Sequence, residues 1–96
     1  MIINTKKAIQ TAATLKVLAD PARLRIISLL LEAQEGSCVG DIAEKVHLSP
    51  SATSHQLAKL EDKGIVTSSR NGQMMCYKLV DCPVVRDIIN VISHFK

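Results

Sequence analysis

Between Asp41 and Gly64 the chain reads DIAEKVHLSPSATSHQLAKLEDKG, two helical periodicities separated by only a few residues. Ile42, Ala43 and Val46 recur on one face of the first, and Thr53, Leu57 and Leu60 on one face of the second. Between them Leu48 is placed to plug a tight turn. Ser49-Pro50 then supplies a hydroxyl cap followed by a residue whose missing N–H costs nothing at a helix start. Two short helices joined this closely make either an αα-hairpin or a helix-turn-helix. The Asn-Gly hairpin that follows favours a helix-turn-helix, with the second helix presenting its other face outward.

At about 100° per residue, Ser51, His55 and Asp62 fall roughly opposite Thr53, Leu57 and Leu60, with Ser54 and Lys59 flanking them. The outward face of the first two turns is therefore small and hydrogen-bonding. Such a helix end fits the major groove of DNA, where Ser, Thr, His and Gln read base edges and backbone amides meet phosphates. Ser49, Ser51, Ser54 and His55 are the candidate readers, and Lys45, Lys59, Lys63 and Arg70 the nearby positive charge. From Val39 to Val80 the basic residues Lys45, Lys59, Lys63, Arg70 and Lys78 only just outnumber the acidic Asp41, Glu44, Glu61 and Asp62. Attraction per protomer is modest, and a dimer would double the contacts.

The flanking chain predicts a scaffold for this pair. Ile9, Ala12, Ala13, Leu15 and Leu18 give a first helix over residues 5–19, and Asp20-Pro21 starts a second that runs through Leu24, Ile27 and Leu31 towards a stop at Gly36. The third helix should begin near Val39, capped by Ser37 or Cys38. After Gly64, Ile65 to Ser69 and Met74 to Val80 read as two strands, joined across Arg70-Asn71-Gly72-Gln73 with Asn-Gly at the centre. Pro83 opens a last helix to about Phe95, in which Val84, Val85, Ile88, Ile89, Val91, Ile92 and Phe95 form a stripe wider than one small core needs. Together with the Ala-rich first helix, that stripe predicts a two-fold dimer interface made of the terminal helices.

The fold class that follows is mainly α with a two-stranded β-hairpin, in the order α-α-α-α-β-β-α. It forms one domain over residues 1–96, with dimerisation helices at 5–19 and 83–95, the helix-turn-helix at 39–63 and a hairpin wing at 65–80. Ninety-six residues bury a modest core, and that also favours a partner subunit. The net charge of +3 is compatible with nucleic acid without arguing for it alone. No signal-peptide core or membrane-length apolar run is present, so a cytoplasmic setting is expected. Cys38, Cys76 and Cys82 form no CxxC and are odd in number, so neither a disulfide framework nor a four-cysteine zinc site is read from them.

An enzyme has little support, because there is no phosphate-cradling glycine loop and no nucleophile elbow. His47, His55 and His94 also lack a carboxylate at catalytic spacing. The alternative to a DNA-binding regulator is a winged helix used for protein contacts without sequence-specific DNA binding.

Three segments carry a resemblance over nearly the whole chain: Leu18-Ala19-Asp20-Pro21-Ala22-Arg23-Leu24-Arg25-Ile26, Cys38-Val39-Gly40-Asp41-Ile42-Ala43, and Leu48-Ser49-Pro50-Ser51-Ala52-Thr53-Ser54-His55-Gln56-Leu57. With them the sequence resembles the ArsR/SmtB family of bacterial winged-helix repressors. The resemblance implies a homodimer through the first and last helices, a recognition helix in successive major grooves of a pseudo-palindromic operator, and repression relieved by an inducer. It places Ser54 and His55 at DNA, and Arg70 at the wing tip near the backbone or minor groove.

Two metal-site patterns of that family are only half matched. The paired thiolates of a CVC motif are reduced to Cys38-Val39-Gly40. Of the four ligands that the last-helix site uses, two from each subunit, Asp81 and His94 match the first and third, Pro83 replaces the second, and the chain ends before the fourth. A closed tetrahedral zinc site wants all four. No cofactor is therefore read, and a metal ion remains a weak inducer class with Asp81 and His94 as its candidates. Oxidants or reactive sulfur acting on Cys38, Cys76 or Cys82 form another class, and absence of any ligand a third.

Overall fold

The computed structural model describes residues 1–96. Its elements run α1 (Thr5–Leu18), α2 (Pro21–Glu32), β1 (Ser37–Cys38), α3 (Val39–Val46), α4 (Pro50–Asp62), β2 (Val66–Asn71), β3 (Met74–Leu79) and α5 (Pro83–His94). Three of the helices begin with a proline in the first turn behind an extended cap residue. Asp20 Oδ2 accepts from the Arg23 N–H and Ser49 Oγ from the Ala52 N–H, whereas Cys82 makes no cap hydrogen bond. These caps fix where α2, α4 and α5 start.

One apolar core joins all the helices to the sheet. Ile26, Ile27 and Leu30 of α2, Ile42 of α3, Leu57 and Leu60 of α4, Val66 and Tyr77 of the sheet, and Val85 and Ile88 of α5 are buried in it. Alternation along β3 sends Tyr77 inward, with Met75 and Leu79 half-buried beside it, while Met74 and Lys78 face solvent.

The structure corrects the sequence reading of the hairpin in two places. The sheet has three antiparallel strands in the order β1-β3-β2, not two, because Ser37 and Cys38 pair with Tyr77 and Cys76 before the chain turns into α3. A two-residue strand is too short to show a periodicity. The turn also lies one residue later than the Asn-Gly pair suggests. Arg70 and Asn71 are the last residues of β2, opposite Met75 and Met74, and the turn consists of Gly72 and Gln73. Only Gly72 takes positive φ (66°), which is the pattern of a type II′ rather than a type I′ turn.

Two arginines of the second helix bind neighbouring helices by their carbonyl ends. The Arg25 guanidinium donates to the carbonyls of Val46 (2.9 Å) and Lys45 (3.3 Å), closing the end of α3. Arg23 donates through Nε to the Val17 carbonyl (2.8 Å) and through Nη2 to that of Lys16 (3.3 Å), closing the end of α1. In both places cationic donors meet helix-end carbonyls, although that of Lys16 also accepts from the Ala19 N–H.

The apolar faces of α1 and α5 remain uncovered in the protomer. Ile9 (66%), Leu15 (52%), Val91 (37%) and Phe95 (83%) are exposed. A groove of about 400 Å³ between these helices is lined by Leu15, Leu18, Leu24, Val91, Ile92 and Phe95. No helix is long and apolar enough to cross a membrane.

Candidate nucleic-acid interface

The turn into α4 is made by His47, the only non-glycine residue with positive φ (59°). Its N–H and that of Leu48 return to α3 carbonyls, and Leu48 tucks half-buried against the core. The chain then leaves in the extended Ser49, and Pro50 begins α4. From there the helix divides cleanly. Thr53, Leu57 and Leu60 are wholly buried, whereas Ser51, Ser54, His55 and Ala58 are exposed.

Two side-chain bonds hold α4 at its flanks. Gln56 Oε1 accepts from Arg23 Nη1 (3.3 Å), tying the middle of α4 to the arginine that closes α1. Near the other end Glu61 Oε2 accepts from the Ser68 hydroxyl (2.6 Å), tying α4 to β2. The same Glu61 carboxylate, after burial of the ring itself, pushes the Tyr77 phenol above its ordinary value of 10.0.

The residues singled out from the sequence are not all brought together. Ser51, Ser54 and His55 share the outward surface of α4, and Ser49 sits at its start. The Ser49 hydroxyl is already engaged as the cap acceptor from Ala52, 3.4 Å from the Ser51 hydroxyl, so its first role is structural. Lys59 is exposed one turn after His55 and also lines a groove of about 610 Å³ between α1 and α4 with Lys16, Arg23 and Lys63. Lys45 lies at the end of α3, beside a cleft it shares with Arg25 and Lys96. Arg70 is exposed on β2, two residues from the turn of the hairpin.

The cysteines correct the sequence reading, which left all three unpaired. Cys38 and Cys76 face each other across β1 and β3 with Cα atoms 3.8 Å apart and form a disulfide; Cys82 is free and half-buried at the start of α5. The metal candidates Asp81 and His94 lie apart within one protomer, as ligands drawn from opposite subunits do. Asp81 is ion-paired with Arg86 at 3.1 Å, and His94 lies at the far end of α5, about 17 Å of helix away. No group of three or more His, Cys, Asp or Glu is gathered anywhere in the protomer.

A short capped helix with a buried apolar side and an outward hydroxyl and imidazole side, set beside a hairpin, is a winged helix-turn-helix. The profile described as "Bacterial regulatory protein, arsR family" matches residues 20–68, from the cap of α2 into β2. The chain belongs to the ArsR family. It is 36% identical over 92 residues to the transcriptional regulator NmtR of Mycobacterium tuberculosis, covering 96% of this chain and 75% of that protein. It is likewise 36% identical over 95 residues to the SmtB homologue of Synechocystis, covering 99% and 70%. The crystal structure of the antimony-specific repressor AntR superposes with a TM-score of 0.85 at 33% identity, over 99% of this chain and 85% of that one. Like these ArsR-family relatives, the chain is a DNA-binding bacterial transcriptional repressor of winged-helix architecture.

Proposed function

We propose that the repressor binds a pseudo-palindromic operator as a homodimer joined through α1 and α5, with one α4 in each of two successive major grooves and an inducer that releases it. The observation that carries this reading is the division of α4. Its buried side is fully used by the core, and its exposed N-terminal surface offers Ser51, Ser54 and His55, which have no protein partner except the Ser49 hydroxyl near Ser51. Ser54 and His55 read bases, Ser49 and Ser51 hold phosphates, and Arg70 reaches the backbone or minor groove beside the wing. Lys45 and Lys59 serve the general field rather than the reading surface. The uncovered Ile9, Leu15, Val91 and Phe95 give α1 and α5 the apolar surface that a second copy would bury.

Among inducer classes, thiol chemistry is favoured by a specific observation, the meeting of Cys38 and Cys76 in a disulfide at the base of the wing, which makes reduction of that pair the releasing event.

The test is binding to the promoter region of the repressor's own gene, followed as salt is raised. Affinity should fall steeply with salt, and Ser54→Ala or His55→Ala should each cost about 1–3 kcal/mol of specific binding. Arg70→Ala should weaken all DNA alike and lower the salt slope by about 1 per protomer. Binding that is insensitive to sequence and salt would return the winged helix to the protein-contact reading.

A further inference from the structure

We infer that Cys38 and Cys76 are a reversible dithiol–disulfide site that takes low-molecular-weight disulfides as oxidant and thiols as reductant, and that closing it fixes the wing in its DNA-binding position. The inference rests on the operator-binding reading above and names its regulation.

The placement of the two residues carries the argument. Cys38 is the cap residue of α3, the first helix of the helix-turn-helix, and its side chain makes no cap hydrogen bond. Cys76 sits in the middle strand of the sheet. On one side it faces Cys38, and on the other it faces Ser69, the residue before Arg70. The bond therefore joins the body of the DNA-binding unit to the strand that carries the wing, one residue from its basic side chain. Without it, β1 holds β3 through the pairing of only two residues.

Access fits a small redox partner. Both cysteines are half-buried, and a cleft of about 100 Å³ lined by Glu35, Ser69 and Lys78 opens beside Cys76. A DNA-binding repressor works in the compartment that holds DNA, where thiols are kept reduced and a disulfide is usually transient and regulatory.

The step balances without a metal. One protein thiolate attacks the small disulfide, which breaks and releases one thiol that takes up the proton. The second protein thiol then displaces the other half from the mixed disulfide. Two protein S–H bonds are lost, one protein S–S bond replaces the one broken in the oxidant, and two small thiols carry away the protons and electrons. Excess thiol reverses the sequence.

Closure removes freedom that the wing would otherwise lose on binding DNA, so the oxidised form is the tighter binder, by roughly five- to 20-fold. The experiment measures operator affinity of the full chain in oxidised and in reduced glutathione, with alkylation and mass measurement to count free thiols. The oxidised protein should carry one alkylated cysteine, Cys82, and the reduced protein three. Wild type and Cys82→Ser should show the affinity difference. Cys38→Ser and Cys76→Ser should bind with the reduced-form affinity in both buffers.

Equal affinity of the two wild-type forms within twofold, tighter binding by the reduced form, or a response that survives in Cys38→Ser would overturn the inference. Circular dichroism checks that the serine variants fold, and if one does not, the wild-type pair of measurements still decides. Absence of operator binding in both forms would instead sink the operator reading itself, and this inference with it.

Discussion

Arg23 is the side chain whose removal should be felt most widely. Its guanidinium donates to Val17 O at 2.8 Å, to Lys16 O at 3.3 Å and to Gln56 Oε1 at 3.3 Å, and it lies 3.6 Å from Asp20 Oδ2. The side chain is only 19% exposed, so water cannot replace all of these partners. Hydrogen bonds from a charged donor contribute about 1.5–3 kcal/mol each where buried. The two longer ones here are reachable by solvent and deserve a fraction of that, and the part-exposed pair with Asp20 adds at most about 1 kcal/mol. Arg23→Ala should therefore destabilise the fold by about 2–4 kcal/mol.

Arg23→Lys should recover less than half of that loss, because one ammonium cannot serve three acceptors lying in different directions. Urea unfolding at fixed protomer concentration measures both, the concentration being held because a dimer's stability depends on it. A double-mutant cycle with Gln56→Ala should give a coupling of about 0.5–1 kcal/mol. A loss below 1 kcal/mol for Arg23→Ala, or full rescue by lysine, would refute the view that this arginine closes α1 and anchors α4.

Three further substitutions test local features. Thr53 is wholly buried and its hydroxyl has no partner, so Thr53→Val should stabilise the protein by about 1 kcal/mol in urea unfolding while leaving operator affinity unchanged. His47 holds a left-handed backbone (φ 59°), and His47→Gly should raise stability by about 0.5–1 kcal/mol; a loss would mean that the imidazole makes a compensating contact. The raised Tyr77 phenol makes the folded protein hold its proton more tightly than the unfolded chain does. Its stability is thus complete below about pH 10 and falls as pH rises through the folded value. Tyr77→Phe should flatten that alkaline loss, read as unfolding midpoint against pH.

The helices were legible because their signals are local. Asp20-Pro21 and Ser49-Pro50 mark helix starts within two residues, and the spacing of Thr53, Leu57 and Leu60 names the buried side of α4 without any knowledge of what covers it. What escaped was set by partners distant in sequence. The strand at Ser37–Cys38 exists because β3, about 40 residues later, offers it an edge. The Cys38–Cys76 bond follows from that register alone, so cysteine spacing could not reveal it. Arg23 and Arg25 look like surface charge in the sequence, and their signal is only that both precede or follow a helix end they could reach. The hairpin turn moved by one residue because Gly72 alone satisfies a type II′ turn, so Asn71 is free to stay in the strand.

These distant contacts converge on α4. Its inner side is fixed by Leu57 and Leu60, one flank by Gln56 to the arginine that closes α1, and the other by Glu61 to Ser68 on the wing. A shift of α1 therefore pulls on α4 through Arg23, and a shift of the wing pulls on it through Ser68. In a dimer built on α1 and α5, the separation of the two recognition helices is set by the first of these links, and the reach of Arg70 by the second. On the proposed reading, an inducer that moves either flank would reach α4 without touching it, and the Cys38–Cys76 pair lies on the wing flank, with Cys76 one strand position from Tyr77, whose ring packs into the same core as Leu57 and Leu60.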